Sequence, residues 1–103
     1  MYASLTQHVS FHVDKPKIEL LYQTDFTKEM RLTARQGQSL AAHSSPLPIT
    51  VYVVSGHIHF RTDVQQYELK AGDMVSLEAE VVHELLARAE SVVRLTMHKI
   101  AKQ

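Results

Sequence analysis

The chain has no cysteine, no surplus of either charge, no long apolar run and no pattern of a long amphipathic helix. Without cysteine, disulfides and thiolate metal sites are both excluded. Eleven Lys and Arg balance eleven Asp and Glu without a long block of either sign. That balance predicts a mixed, solvated surface and no nucleic-acid partner, which would require a basic stripe. The longest purely apolar run is Val51, Tyr52, Val53 and Val54, far short of a membrane span. Residues 1–17 carry no basic stretch followed by an apolar segment of signal-peptide length. The expectation is a cytoplasmic protein. At 103 residues the chain predicts one domain, large enough to bury about 60–70% of its unfolded surface around one core.

What is present is alternation with a period of two. Met30, Leu32 and Ala34 alternate with Arg31, Thr33 and Arg35, the spacing of a half-buried strand. Residues 49–54 form a β-branched run; Ser55-Gly56 reads as a tight turn and residues 57–61 as the returning strand of a hairpin. Further strands are predicted at 18–22, 67–69, 74–77, 82–87 and 92–98, with a turn at Lys70-Ala71-Gly72-Asp73 and a loop over 25–29. About eight short strands separated by turns predict an all-β sandwich or barrel. Several strands are apolar on both faces: Val51 and Val53 against Tyr52 and Val54, and the pairs Leu20-Leu21, Leu85-Leu86 and Val92-Val93. A second apolar face asks for a second cover, and a two-fold homodimer is the economical one.

Seven histidines invite a metal question. By period two, His57, His59 and Arg61 share a face opposite Ile58 and Phe60, so the histidines are expected outside and Ile58 and Phe60 in the core. His98, on a face with Arg94 and Thr96, is expected to be exposed, and His8 and His12 have no partner pattern. Two segments differ in kind. In the first, Gly37 is followed by His43, Ser45, Ile49 and Gly56; in the second, Gly72-Asp73 is followed by His83, eleven positions after Gly72.

These two segments, spanning about residues 30–98, resemble the paired motifs of the cupin superfamily. The first motif runs Gly, five residues, His-x-His, three or four residues, Glu, six residues, Gly. Gly37, His43 and Gly56 hold their places, while Ser45 stands at the second histidine and Ile49 at the glutamate. The second runs Gly, five residues, Pro-x-Gly, two residues, His, three residues, Asn. Gly72 and His83 match, and Glu78, Glu80 and Ala87 replace the proline, glycine and asparagine. The resemblance implies a jelly-roll barrel of the double-stranded β-helix, RmlC-like type. It is similar to compact bacterial cupins that have incomplete metal motifs and form dimers.

The departures decide the chemistry expected. A catalytic transition-metal site requires three protein ligands with open positions, and His43 and His83 supply two. A divalent zinc, iron, manganese or nickel ion therefore enters only as an alternative, held by His43 and His83 with a non-standard third ligand in an oxygenase- or isomerase-type enzyme. A histidine acting as a metal-free general base also stays open. The principal expectation is binding of a small molecule, with weak or no catalysis, in a cavity lined by Ile49, Val51, Val53, Ile58 and Leu77. His43, Ser45 and His83 are its polar fixtures, the composition usual for ligand pockets. A non-catalytic dimeric interaction module is the remaining alternative.

Overall fold

A computed structural model describes residues 1–99 as an all-β protein of nine strands. They are β1 (Lys17–Gln23), β2 (Thr27–Ala34), β3 (Ser39–His43), β4 (Ile49–Ser55), β5 (His57–Thr62), β6 (Gln66–Lys70), β7 (Met74–Leu77), β8 (His83–Ala87) and β9 (Ser91–His98). Every pairing is antiparallel. One sheet runs β1-β2-β9-β4-β7 and the other β3-β8-β5-β6, the double-sheet jelly roll. Among the described residues no helix is long and apolar enough to cross a membrane.

Alternation builds the core. Leu32, Ala34, Ile49, Val51, Val53 and Val93 from the five-stranded sheet meet Ile58, Phe60, Leu69, Leu85 and Ala87 from the other, all buried. A one-residue slip of any of these strands would turn its apolar set to solvent, so burial fixes the register. As the alternation predicts, Ile58 and Phe60 point inward and His57 and His59 lie on the opposite face of β5.

The 49–61 segment departs from the expected hairpin. Ser55 and Gly56 do turn the chain, but β4 pairs with β7 and β9 while β5 pairs with β6 and β8. The turn carries the chain from one sheet to the other. Gly56, at φ 95°, passes so close to β9 that the Ser91 hydroxyl accepts the His57 N–H at 3.0 Å. The inward residues Val51 and Val53 of β4 and Ile58 and Phe60 of β5 then face each other across the sandwich and cover one another there. At the far edge of this crossing, Val53 holds the β6–β7 turn through bonds to Asp73 O (2.9 Å) and from Gly72 N (2.8 Å). The predicted 25–29 loop is shorter than expected: Thr24 Oγ1 accepts from the N–H groups of Phe26 and Thr27, and β2 already starts at Thr27. β3 is a strand that the sequence pattern does not announce, because Ala41, Ala42 and His43 on this edge are exposed and carry no alternation.

The outer side of β2 in the five-stranded sheet is covered by the chain itself. Residues 4–13 run across the outer side of β2, and the buried Arg31 guanidinium gathers three of their carbonyls, Ser4 (3.0 Å), Gln7 (2.8 Å) and His8 (3.2 Å). Thr33 Oγ1 donates to Ser10 O at 2.7 Å, and the Gln38 amide to His12 O and Val13 O. Leu5, Val9 and Phe11 of this arm are half-buried. A partner chain is therefore not the only cover available to that face.

Candidate functional site

His43 and His83 reach the same place by different routes. On β8, inward Leu85 and Ala87 fix the phase that turns His83 inward, and His83 is 5% exposed. Opposite it, β3 carries an irregularity between Leu40 and His43 that restores the pairing His43↔His83. The ring centroids are 4.4 Å apart, and Phe60 stacks on His83 at 5.5 Å and 21°. His43 itself is exposed, against the expectation that both rings sit inside the barrel. His43 ends the edge strand β3 and, being exposed, stands at the mouth of the site.

Both imidazoles are oriented in the same way. His43 Nδ1 is 2.9 Å from Ala41 O and His83 Nδ1 is 2.9 Å from Val81 O. A carbonyl only accepts, so Nδ1 carries a hydrogen in each ring, and in the neutral form Nε2 presents a lone pair. Among the described residues no fully buried side-chain nitrogen or oxygen lacks a partner. The His83 Nε2, which makes no bond to another described residue, thus opens on accessible space.

That space is a cavity of about 190 Å³ between the sheets. The proposed fixtures His43, Ser45, Ile49, Val51 and His83 all line it, with Leu85 and Met97 among the apolar wall. Val53, Ile58 and Leu77, expected in this wall, are instead packed into the core beyond it. Their places are taken by Met30, Leu40 and Leu95, whose strands the topology brings alongside and whose positions no local pattern distinguishes. Ile18 of the edge strand β1 lines the mouth and is 47% exposed.

The rim is stapled by Glu80 N–H, which donates to Ser45 O at 2.8 Å. Glu80 stands where the resembling motif has glycine, and its φ of 68° is a conformation that favours glycine. The backbone thus keeps the turn although the residue has changed. Glu80→Gly is expected to raise stability by up to about 1 kcal/mol, the relief of a left-handed side chain less the extra freedom of unfolded glycine. Glu80→Val should lower stability by a similar amount. Denaturation midpoints of the two variants check this.

The electrostatics favour a neutral His83 ring. Burial pushes the His83 pKa down, the bond to Val81 opposes this, and neighbouring His43 adds to the lowering. The unfolded chain therefore takes up a proton at His83, near pH 6.5, before the folded protein does. Stability is expected to be full above pH 6.5 and to fall as the pH drops from there through the lowered folded value. His83→Gln should remove this part of the loss, read as the melting temperature between pH 7 and 5. A second loss begins below the usual glutamate range, from Glu68 and Glu29. Glu68 is held at about 2, chiefly by Arg88 and then by His59 and His57. Burial opposes ionisation of Glu29, but bonds from Arg94 and Thr96 lower its pKa overall.

Three other histidines are engaged elsewhere. His57 Nε2 lies 2.7 Å from Glu68, which also pairs with His59 and Arg88 on the outer face of the four-stranded sheet. His98, expected to be exposed, is half-buried and bonded to Thr50 Oγ1 at 2.8 Å, while neighbouring Thr96 is buried on Glu29. The outer face of the five-stranded sheet closes over this polar cluster, which the alternation alone does not reveal.

As a metal centre the donor set is incomplete. Two Nε2 atoms with Nδ1 tied to carbonyls suit ligation, but Ser45 and Ile49 replace the remaining donors. Among the described residues no group of three His, Cys, Asp or Glu has the geometry to hold an ion. The residues present do not fit a resident catalytic metal, which needs a third protein ligand.

A two-sheet jelly roll with its cavity beside paired histidines defines a small double-sheet β-barrel fold. The cupin-domain family matches residues 30–99, and the chain belongs to that family. No curated protein matches the sequence. Among solved structures it is similar to an RmlC-like cupin protein from Desulfovibrio desulfuricans, with a TM-score of 0.87 at 21% identity over 95% of each chain. It is also similar to a conserved protein of unknown function from Streptococcus pyogenes (TM-score 0.83, 24% identity, 99% of this chain and 90% of that one). A third is a conserved protein with a double-stranded β-helix domain from Klebsiella pneumoniae (TM-score 0.80, 22% identity, 94% and 87%). At these identities the likeness establishes the fold.

Proposed function

We propose that this cupin binds a compact, largely apolar small molecule in the cavity between its sheets, without a resident catalytic metal. The observation that carries the reading is the pairing of an apolar wall with two imidazoles, each fixed by its own Nδ1–H and each presenting Nε2. Two neighbouring acceptors at the rim of an apolar space select a ligand that brings hydrogen-bond donors, such as hydroxyl or N–H groups. The rings' orientation is set before binding, which lowers the ordering cost of association.

The test is a titration of small alcohols, phenols and amides into untagged protein, followed by calorimetry and by elemental analysis of the same sample. Binding should weaken about tenfold or more in His83→Ala, the loss of a hydrogen bond and its packing. The purified protein should carry less than a tenth of an equivalent of transition metal, unchanged in His43→Ala. Near-stoichiometric metal lost on His43→Ala would instead establish the enzyme alternative. The homodimer belongs to the same proposal, supported by Met74, 62% exposed on the outer face of β7, and by half-buried Tyr52 and Val54 of β4. Sedimentation should show a dimer that Tyr52→Asp shifts to monomer; an unchanged state would remove that interface.

A further inference from the structure

His83 lines a second concavity as well. On its other side lies an open groove of about 640 Å³, formed by Arg61, Thr62, Asp63, Gln65, Gln66 and Glu84 with Ala42, Val64 and Val82. Residue His83 thus borders both an apolar cavity and a polar groove. Volumes decide how they relate. The cavity alone equals the liquid share of about six waters at roughly 30 Å³ each, below the roughly 300–1,000 Å³ usual for ligand sites. The groove alone lies within that range and the two together stay within it, so the cavity reaches the size of a ligand site only together with the groove.

We infer that the two are subsites for one amphipathic ligand, with an apolar end of about six carbons in the cavity and a polar end in the groove past His83. This rests on the binding proposed above and narrows its ligand class. Among the described residues the groove has one cation, Arg61, already paired with Glu84, and Asp63 adds a further negative charge. An anionic end would therefore meet no free positive partner. The glutamine amides both donate and accept, which suits an uncharged hydroxyl or amide end over an anionic one.

The experiment uses 1-hexanol, hexyl β-D-glucoside and hexyl phosphate as probes, titrated into the wild-type protein and into a Gln65→Ala/Gln66→Ala variant, followed by calorimetry and amide NMR shifts. Both glutamines are exposed, so the variant retains the fold, as its amide spectrum will verify. The glucoside should bind at least tenfold tighter than hexanol, the phosphate no tighter than hexanol, and the variant should bring the glucoside close to hexanol. Equal affinity of hexanol and the glucoside would overturn the groove while leaving the cavity reading intact. So would a glucoside advantage that survives in the variant. Tightest binding by the phosphate would overturn the uncharged class. No binding of any probe would remove the cavity reading and this inference with it.

Discussion

Gly56→Ala will cost about 2–5 kcal/mol of stability, a large share of the 5–15 kcal/mol that holds a domain of this kind together. Two effects combine. At φ 95° a side chain is strained, by roughly 1–2 kcal/mol. A Cβ there would also stand 2.2 Å from Ser91 Oγ, 2.4 Å from Glu90 O and 2.6 Å from Ser91 Cα. Two of those three atoms are backbone, so the start of β9 must move, an overpacking cost of about 1–3 kcal/mol. Ser91 Oγ also accepts the His57 N–H, so the shift reaches β5. Gly72→Ala is the control: its φ is 94° with nothing within 4 Å of the added carbon, so it should lose only the strain. Urea denaturation of the two variants isolates the steric part as their difference, and equal losses would refute the contact argument.

The second large effect is expected at Arg31. This guanidinium is 4% exposed; besides the three arm carbonyls it binds Glu19 Oε1, with Nε at 2.9 Å. Arg31→Met keeps much of the volume but leaves Glu19 unpaired and the carbonyls of Ser4, Gln7 and His8 without a donor. Bonds to charged groups contribute about 1.5–3 kcal/mol each when a partner is removed, but an arm that detaches regains water. The net loss expected is about 3 kcal/mol, accompanied by rapid proteolysis within residues 1–16. Glu19→Gln, whose carboxylate reaches solvent, should cost less than 1 kcal/mol, as exposed pairs do. A protected arm in Arg31→Met would show that the strap is held by packing of Leu5, Val9 and Phe11 instead.

The two sites show what could be read from the chain. Gly56 is visible in the sequence as a turn, but the reason only glycine fits lies in Ser91, thirty-five positions away. Arg31 reads locally as the polar phase of an alternating strand. Nothing in that alternation announces that the polar side would be buried, because the cover comes from residues 4–13. The same holds for Thr96 and His98. By contrast, Ile58 and Phe60 were assigned to the core by phase alone, since on a strand one buried neighbour fixes the side of the next but one.

The candidate site divides along the same line. The spacing Gly37, His43, Gly56 and Gly72, His83 marks two segments of one family pattern, and the replaced Ser45, Ile49 and Glu80 mark where its chemistry departs. Tertiary structure adds that His43 is at the mouth and His83 inside. It also adds that Glu80 still holds a glycine conformation, and that Met30, Leu40 and Leu95, in place of Val53, Ile58 and Leu77, complete the wall.

By itself the sequence determined the all-β class, the inward face of most strands and the two histidines that a barrel would bring together. These follow from a period of two and from spacing, both local properties of the chain. Tertiary structure alone decided that β4 and β5 part into different sheets, that an N-terminal arm covers the outer face, and that His83 stands between an apolar cavity and a polar groove. Each depends on contacts between residues far apart in the chain, where the competition among alternative covers for the same apolar surface is settled.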